Sequence, residues 1–253
     1  MLTNLALEAE LDELLAARRY KDYAPNGLQV EGRRPIRRLL TGVTACQALL
    51  DEAVAWQADA VLVHHGYFWG NEPAAIRGMK KHRLQTLLAH DINLFAYHLP
   101  LDGHPELGNN AQLALRLGIG AVSTLQPEDP NCLIFKGELP MPVTGEQWQA
   151  HLAGVLGREV LYEASPCGRP IERLAWCTGG GQGFIQQAAE AGMDAFITGE
   201  VSEQTIHVAR ELGIHFFAAG HHATERYGVW ALGEWLAAHH GLEVRFLDIP
   251  NPA

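Results

Sequence analysis

The chain repeats itself, and this repeat limits the possible folds more than any other feature. Leu174-Ala-Trp-Cys-Thr-Gly-Gly-Gly181 stands where Leu39-Leu-Thr-Gly-Val43 stands earlier, and Met193-Asp-Ala-Phe-Ile-Thr-Gly-Glu200 aligns with Ala58-Asp-Ala-Val-Leu-Val-His-His65. Farther on, Ile214 to Ala219 matches Ile92 to Tyr97, and His221-His-Ala-Thr-Glu225 matches His98-Leu-Pro-Leu-Asp102. Self-similarity on this scale means two like structural units. Within each copy, short β-branched runs alternate with stretches of helical spacing. The first copy reads as strands at 38–43, 60–63 and 92–97, with helices at about 45–57, capped by Thr44, and 79–89. Such alternation predicts βαβ units and a largely parallel sheet. The expectation is an α/β chain with a first unit over 1–125 and a second over 126–253, the final helix and strand packing back on the first unit.

Polar groups gather where the repeated strands end, which is where open α/β sheets place their ligands. His64 and His65 close one strand. His98 and Asp102 follow the next, and Pro100 between them argues against regular helix. In the second copy Glu200 takes the repeat position of His65, and His221, His222 and Glu225 follow the last matched strand. If Glu225 lies on the first helical turn after Gly220, the i,i+4 spacing sets it beside His221. Imidazoles and carboxylates in this ratio suit Fe, Zn, Mn, Co or Ni rather than the all-oxygen sites of Mg and Ca. Successive strand residues point to opposite faces, so His64 and His65 fit two neighbouring ions better than one. The favoured arrangement puts His64 and His221 on one divalent ion, His65 and Asp102 on a second, and Glu225 between them. Two ions so held make a nucleophile from water at neutral pH, hence a hydrolase. His98, Glu200 and His222, adjacent to these ligands, are candidates for proton transfer or for orienting them.

Other features carry less. Cys177-Thr-Gly-Gly-Gly-Gln-Gly183 sits where a strand hands over to a helix and can offer N–H groups to an anion, although a tight turn explains it equally well. Tyr67, Phe68 and Trp69 can stack a flat ring or fill an interface. Asp22-Tyr-Ala-Pro-Asn-Gly27 marks a turn before an edge strand, with no chemical role legible in it. In the middle of the chain a strand at 133–139, a helix capped by Thr144 and Gln147, and a strand near 160–162 are expected.

An excess of 29 acidic over 19 basic residues, net −10, argues against nucleic acid as the partner. The only short basic run, Arg33-Arg34 with Arg37-Arg38, reads as a solvated approach to a strand. Cys46, Cys132, Cys167 and Cys177 lack metal-type spacing and fit reduced thiols. The acidic first residues do not resemble a signal peptide, and no segment is apolar for long enough to span a bilayer, so a cytoplasmic protein without membrane contact is expected.

Asp22-Tyr-Ala-Pro-Asn-Gly-Leu-Gln-Val, Val63-His-His-Gly, His98-Leu-Pro-Leu-Asp, Ile197-Thr-Gly-Glu and Gly220-His-His-Ala-Thr-Glu resemble, in that order, the motifs of the YbgI group. This is the bacterial branch of the Nif-three-like dinuclear-metal proteins, which carry the label of GTP cyclohydrolase I type 2 homologues. The resemblance runs almost end to end. It implies a duplicated fold with mixed sheets flanked by helices, a dinuclear site in the cleft between the halves, and a ring-shaped homohexamer. The family's ligands fall on His64, His65, Asp102, His221 and Glu225. The function so implied is a dinuclear metal-dependent hydrolase of a nucleotide or purine-like small molecule, with ring opening of GTP as one candidate. A metal-dependent phosphoesterase and a non-enzymatic metal-binding scaffold are the alternatives.

Overall fold

The computed structural model describes residues 2–253. The chain forms two units, Met1–Gly108 with Gly228–Pro250, and Asn109–Tyr227 with Asn251–Ala253. In chain order the first contains α1 (Asn4–Leu14), β1 (Gly27–Val30), β2 (Arg38–Thr44), α2 (Gln47–Ala55), β3 (Ala60–His65), α3 (Gly78–Ala89), β4 (Asn93–Ala96) and α4 (Leu99–Gly103). The second contains α5 (Asn109–Leu117), β5 (Gly120–Thr124), β6 (Phe135–Val143), α6 (Gly145–Leu156), β7 (Leu161–Glu163), β8 (Ile171–Cys177), α7 (Ile185–Glu190), β9 (Ala195–Thr198), α8 (Glu203–Leu212) and β10 (His215–Ala218). Helix α9 (His221–His240) begins in the second unit and continues in the first, which β11 (Glu243–Phe246) completes.

The first sheet has the order β1-β4-β3-β2-β11, parallel except for the edge strand β1. Its central strands β2, β3 and β4 are buried on both faces, so they read as continuous apolar runs. Leu39, Leu62 and Phe95 face one core with Leu7 and Leu11 of α1 and Leu232 and Leu236 of α9. Their neighbours Leu40, Val61 and Leu94 face the other with Leu49 and Leu50 of α2 and Leu87 of α3. Each such buried side chain contributes roughly 1.5–3 kcal/mol.

The second sheet has the order β5-β6-β8-β9-β10-β7, with β8, β9 and β10 parallel and the flanking strands antiparallel. Ala175, Phe196 and Phe216 pack with Ile185 and Ala188 of α7. Trp176, Ile197 and Phe217 on the opposite face are inaccessible to solvent.

Register makes the duplication residue-specific. Leu39 pairs with Ala60 and Ala60 with Asn93, as Leu174 pairs with Ala195 and Ala195 with His215. Asp59 Oδ2 accepts the N–H groups of Arg37 and Arg38, and Asp194 Oδ2 those of Glu172 and Arg173. The repeat also extends to the antiparallel edges, since β1 pairs with β4 as β7 pairs with β10. The same register corrects the sequence alignment. Ala96 pairs with Val63 as Ala218 pairs with Thr198, which brings Gly220, not His221, to the position of His98. The two imidazole–carboxylate pairs are therefore offset by one residue, about 100° around a helix.

Two further local expectations are corrected, and one strand was not foreseen. Pro100 lies in the first turn of α4, where its missing N–H would have had no helical partner. Helix α2 starts at Gln47 after Cys46, and Thr44 belongs to β2. Strand β5, made of exposed and half-exposed residues, has no apolar alternation to reveal it. The Thr144–Gln147 capping box is present as expected. Among the described residues no helix is long and apolar enough to cross a membrane.

Candidate metal centre

In the first unit β3 delivers His64 and His65 at its carboxyl end, and the turn after β4 delivers His98 as the residue capping α4. The ring centroids of His64 lie 4.4 Å from His65 and 5.1 Å from His98. Ligand atoms from all three come within 4.8 Å of one another, close enough to hold an ion. The alternation of strand side chains thus does not keep His64 and His65 apart.

Each imidazole has its Nδ1 engaged elsewhere. His64 Nδ1–H donates to the Tyr97 carbonyl at 3.0 Å, His65 Nδ1 shares a 3.3 Å hydrogen bond with the Thr44 hydroxyl, and His98 Nδ1–H donates to Asp22 Oδ1 at 2.7 Å. Partners of this kind fix the tautomer and aim of a ligating imidazole, leaving Nε2 for the ion. Asp102, on α4 and 6 % exposed, points Oδ1 at His64 Nε2 over 3.5 Å. Within this unit His64 shares space with Asp102.

Asp22 and Asn26 are residues that sequence reasoning passed over. Asp22 Oδ2 accepts the Leu99 N–H at the start of α4 and the side-chain amide of Asn26, while Asn26 Oδ1 accepts the His98 N–H. Burial alone would raise the Asp22 pKa, but its hydrogen bond to His98, the charge interaction with that imidazole and the donors from Asn26 and Tyr23 hold it below the usual carboxylate value. The partners lie 72 to 77 residues apart in sequence, so no local spacing announces them. The motif shared with the resembled family was the one available signal. An Asp22→Asn substitution keeps the shape but lets an amide donate to Nδ1, moving the His98 proton to Nε2. The expected result is a changed imidazole ¹⁵N pattern for His98 and roughly 10–100-fold weaker metal binding or activity, read by NMR and metal titration.

In the second unit α9 begins at His221, and the i,i+4 expectation holds: His221 Nε2 lies 3.0 Å from Glu225 Oε2. His221 Nδ1 lies 2.8 Å from Glu200 Oε1. Glu200 thus orients His221. His222 is buried, and its backbone N–H donates to the Ala253 carbonyl. Gly199 occupies the repeat position of His64, and a Cβ there would come within 2.6 Å of the His221 backbone. This close approach explains why the second unit has no imidazole at that strand end. The glycine loop also acquires a role: a Cβ on Gly179 would overlap Glu225 Oε1 and lie 3.1 Å from His221 Nε2. The loop makes room for the Glu225 carboxylate.

Burial lowers the His221 pKa, but its bonds and charge interactions with Glu225 and then Glu200 outweigh it and raise the value from 6.5 to about 9. In metal-free protein the imidazolium is stabilising in full below pH 6.5, and its contribution is lost as pH rises through about 9. Melting temperatures of metal-free protein are expected to fall across that window, and less steeply for Glu225→Gln. An ion on Nε2 must displace the same proton, so metal uptake at neutral pH is expected to release it.

The donors fit a transition metal. Imidazoles with Nδ1 engaged, beside carboxylates 6 % exposed at Asp102 and 2 % exposed at Glu225, form a nitrogen–oxygen set suited to borderline divalent ions.

Comparison with known proteins agrees with these findings. The profile of Duf34/NIF3 (NGG1p interacting factor 3) matches residues 5–252. A "GTP cyclohydrolase 1 type 2 homolog" of Yersinia pestis is 61% identical over 252 residues, covering 100% of both chains, and one of Escherichia coli K12 is 58% identical with the same coverage. Among solved structures, "protein ybgI, unknown function" is similar with a TM-score of 0.93 and 58% identity over 99% of each chain. TTHA1606 from Thermus thermophilus has a TM-score of 0.88 and 35% identity over 98% of each. The strand register, the engaged imidazoles and these likenesses together place the chain in the Duf34/NIF3 family.

Proposed function

We propose that the protein is a metal-dependent hydrolase that uses a pair of divalent transition ions and acts on a nucleotide or purine-like small molecule. In this reading His64, His65, Asp102, His221 and Glu225 would hold the ions. The proximity of His64 to Asp102, and of His221 to Glu225, supports this choice of ligands. The observation that carries the reading is the set of three imidazoles whose Nδ1 atoms are all committed to other partners. Histidines that serve packing alone do not need this convergence.

Such a pair of ions supplies Lewis acidity and lowers the pKa of water toward neutrality. The chain's own groups do the rest. His98, with Nδ1–H committed to Asp22, presents Nε2 to take up and return a proton. Glu200 holds the His221 ring in line, and buried His222 lies beside it in sequence. Trp69 and Tyr23 flank His98, with ring centroids at 5.0 and 6.1 Å, and supply flat faces for a heteroaromatic substrate. The reading includes a homohexamer and a cytoplasmic setting, the latter consistent with four free cysteines.

The test is a nucleotide panel, GTP included, assayed with protein loaded with Fe, Zn, Mn, Co or Ni in turn. Formate release supports ring opening, and phosphate release supports a phosphoesterase instead. No turnover with any ion overturns the hydrolase in favour of a metal-binding scaffold.

A further inference from the structure

We propose that the first unit carries a second binding site, at the amino ends of its parallel strands, for a small organic molecule bearing a phosphoryl group. A cleft of about 460 Å³ opens there, lined by Arg33, Arg37, Arg38, Gln57, Asp59 and His90. Its volume is in the range of small-ligand sites. The imidazole cluster lies at the opposite ends of the same strands. Strand β3 alone, from Ala60 to His65, separates the two by roughly 17 Å.

The cleft is cationic in a chain of net charge −10. Arg37 is exposed, and its guanidinium makes no hydrogen bond or ion pair among the described residues. Arg33 spends its donors on the neutral carbonyls of Asp91 and His90 and keeps its full charge. Arg38 bonds the Trp56 carbonyl and pairs with Glu243, both side chains being well exposed. The one carboxylate in the lining, Asp59, has Oδ2 occupied by the N–H groups of Arg37 and Arg38. Val54 and Ile92 add an apolar wall, more than a bare inorganic anion uses.

The internal repeat supplies the control. By register Arg37 corresponds to Glu172, Gln57 to Gly192 and Asp91 to Gly213. Gly192 and Gly213 take left-handed turns with φ of 74° and 69°, which glycine adopts freely. Gln57 and Asp91 take the same turns at φ of 56° and 51° while carrying side chains, a conformation that disfavours L-residues. The fold is met in the second unit by glycine and glutamate. The first unit instead places an amide and an unpaired guanidinium on the cleft, and Gln57 bears strain to do so. Strain held where polar groups converge is a mark of a site rather than of packing.

The experiment is calorimetric titration of the metal-loaded protein with AMP, inorganic phosphate and adenosine, at two salt concentrations. AMP is expected to saturate the site, bind more tightly than phosphate, and weaken as salt rises; adenosine is expected to show no binding that Arg37→Ala alters. Arg37→Ala should weaken AMP about tenfold, the loss of one charge-assisted hydrogen bond. Arg37→Glu, which installs the second unit's own residue, should weaken it further at an unchanged melting temperature. Arg173→Ala and Glu225→Ala should leave that affinity unchanged. Absence of saturable binding, insensitivity to both Arg37 variants, or loss of binding in Glu225→Ala would each overturn the proposal, the last by assigning the ligand to the metal centre. Equal affinity for AMP and phosphate would overturn the organic part of the ligand.

Discussion

Glu225→Ala protein is expected to emerge from purification without stable paired metal, whereas His151→Ala protein retains the full complement. Glu225 is 2 % exposed, its Oε2 lies 3.0 Å from His221 Nε2, and the arrangement favoured by the sequence sets it between the ions. Loss of an outer partner weakens a metal by about 10–100-fold; loss of the carboxylate itself is expected to exceed that. His151 is also an imidazole of the second unit, but it stacks on Trp148 and bonds the Leu117 carbonyl, so it serves packing. Elemental analysis after desalting, with circular dichroism to verify folding, reads the difference. Equal metal loss in the two variants would remove Glu225 from the centre.

Gly179→Ala is expected to damage the same centre without removing any ligand. Gly179 has φ of 64°, where an L-residue costs roughly 1–2 kcal/mol, and its added Cβ would overlap Glu225 Oε1. The backbone cannot retreat easily. The Gly179 N–H donates to the Thr224 hydroxyl, and its carbonyl accepts from the Gly199 N–H and the Thr198 hydroxyl. Overpacking adds about 1–3 kcal/mol, so a loss of roughly 2–5 kcal/mol is expected, with metal affinity falling alongside. Gly183→Ala, where an added Cβ meets nothing within 4 Å, is expected to stay within about 0.5 kcal/mol of the parent. Denaturant melts and metal titration of the two variants test this contrast, and similar behaviour of both would show that Gly179 is an ordinary turn residue.

What was legible in the sequence was what local periodicity encodes. The buried strands at 60–65 and 195–198 read as apolar runs, and the His221–Glu225 contact followed from helical spacing alone. What escaped depends on partners distant in the chain or on exposed backbone. Thr44, read as a helix cap, instead bonds His65 across the β2–β3 pair. Asp22 holds His98 from 76 residues away, and an isolated acidic residue in a turn has no pattern to betray it. Strand β5 is carried by pairing with β6 rather than by an apolar face. The one-residue offset between the two halves was hidden because His98 and His221 look equivalent until Ala96 and Ala218 are put in register.

Anomalous diffraction from crystals of the metal-loaded protein is the most direct measurement of the central claim. Two peaks about 3.5–4 Å apart are predicted, held by His64, His65, Asp102, His221 and Glu225. A single peak, or peaks away from these five side chains, would contradict it.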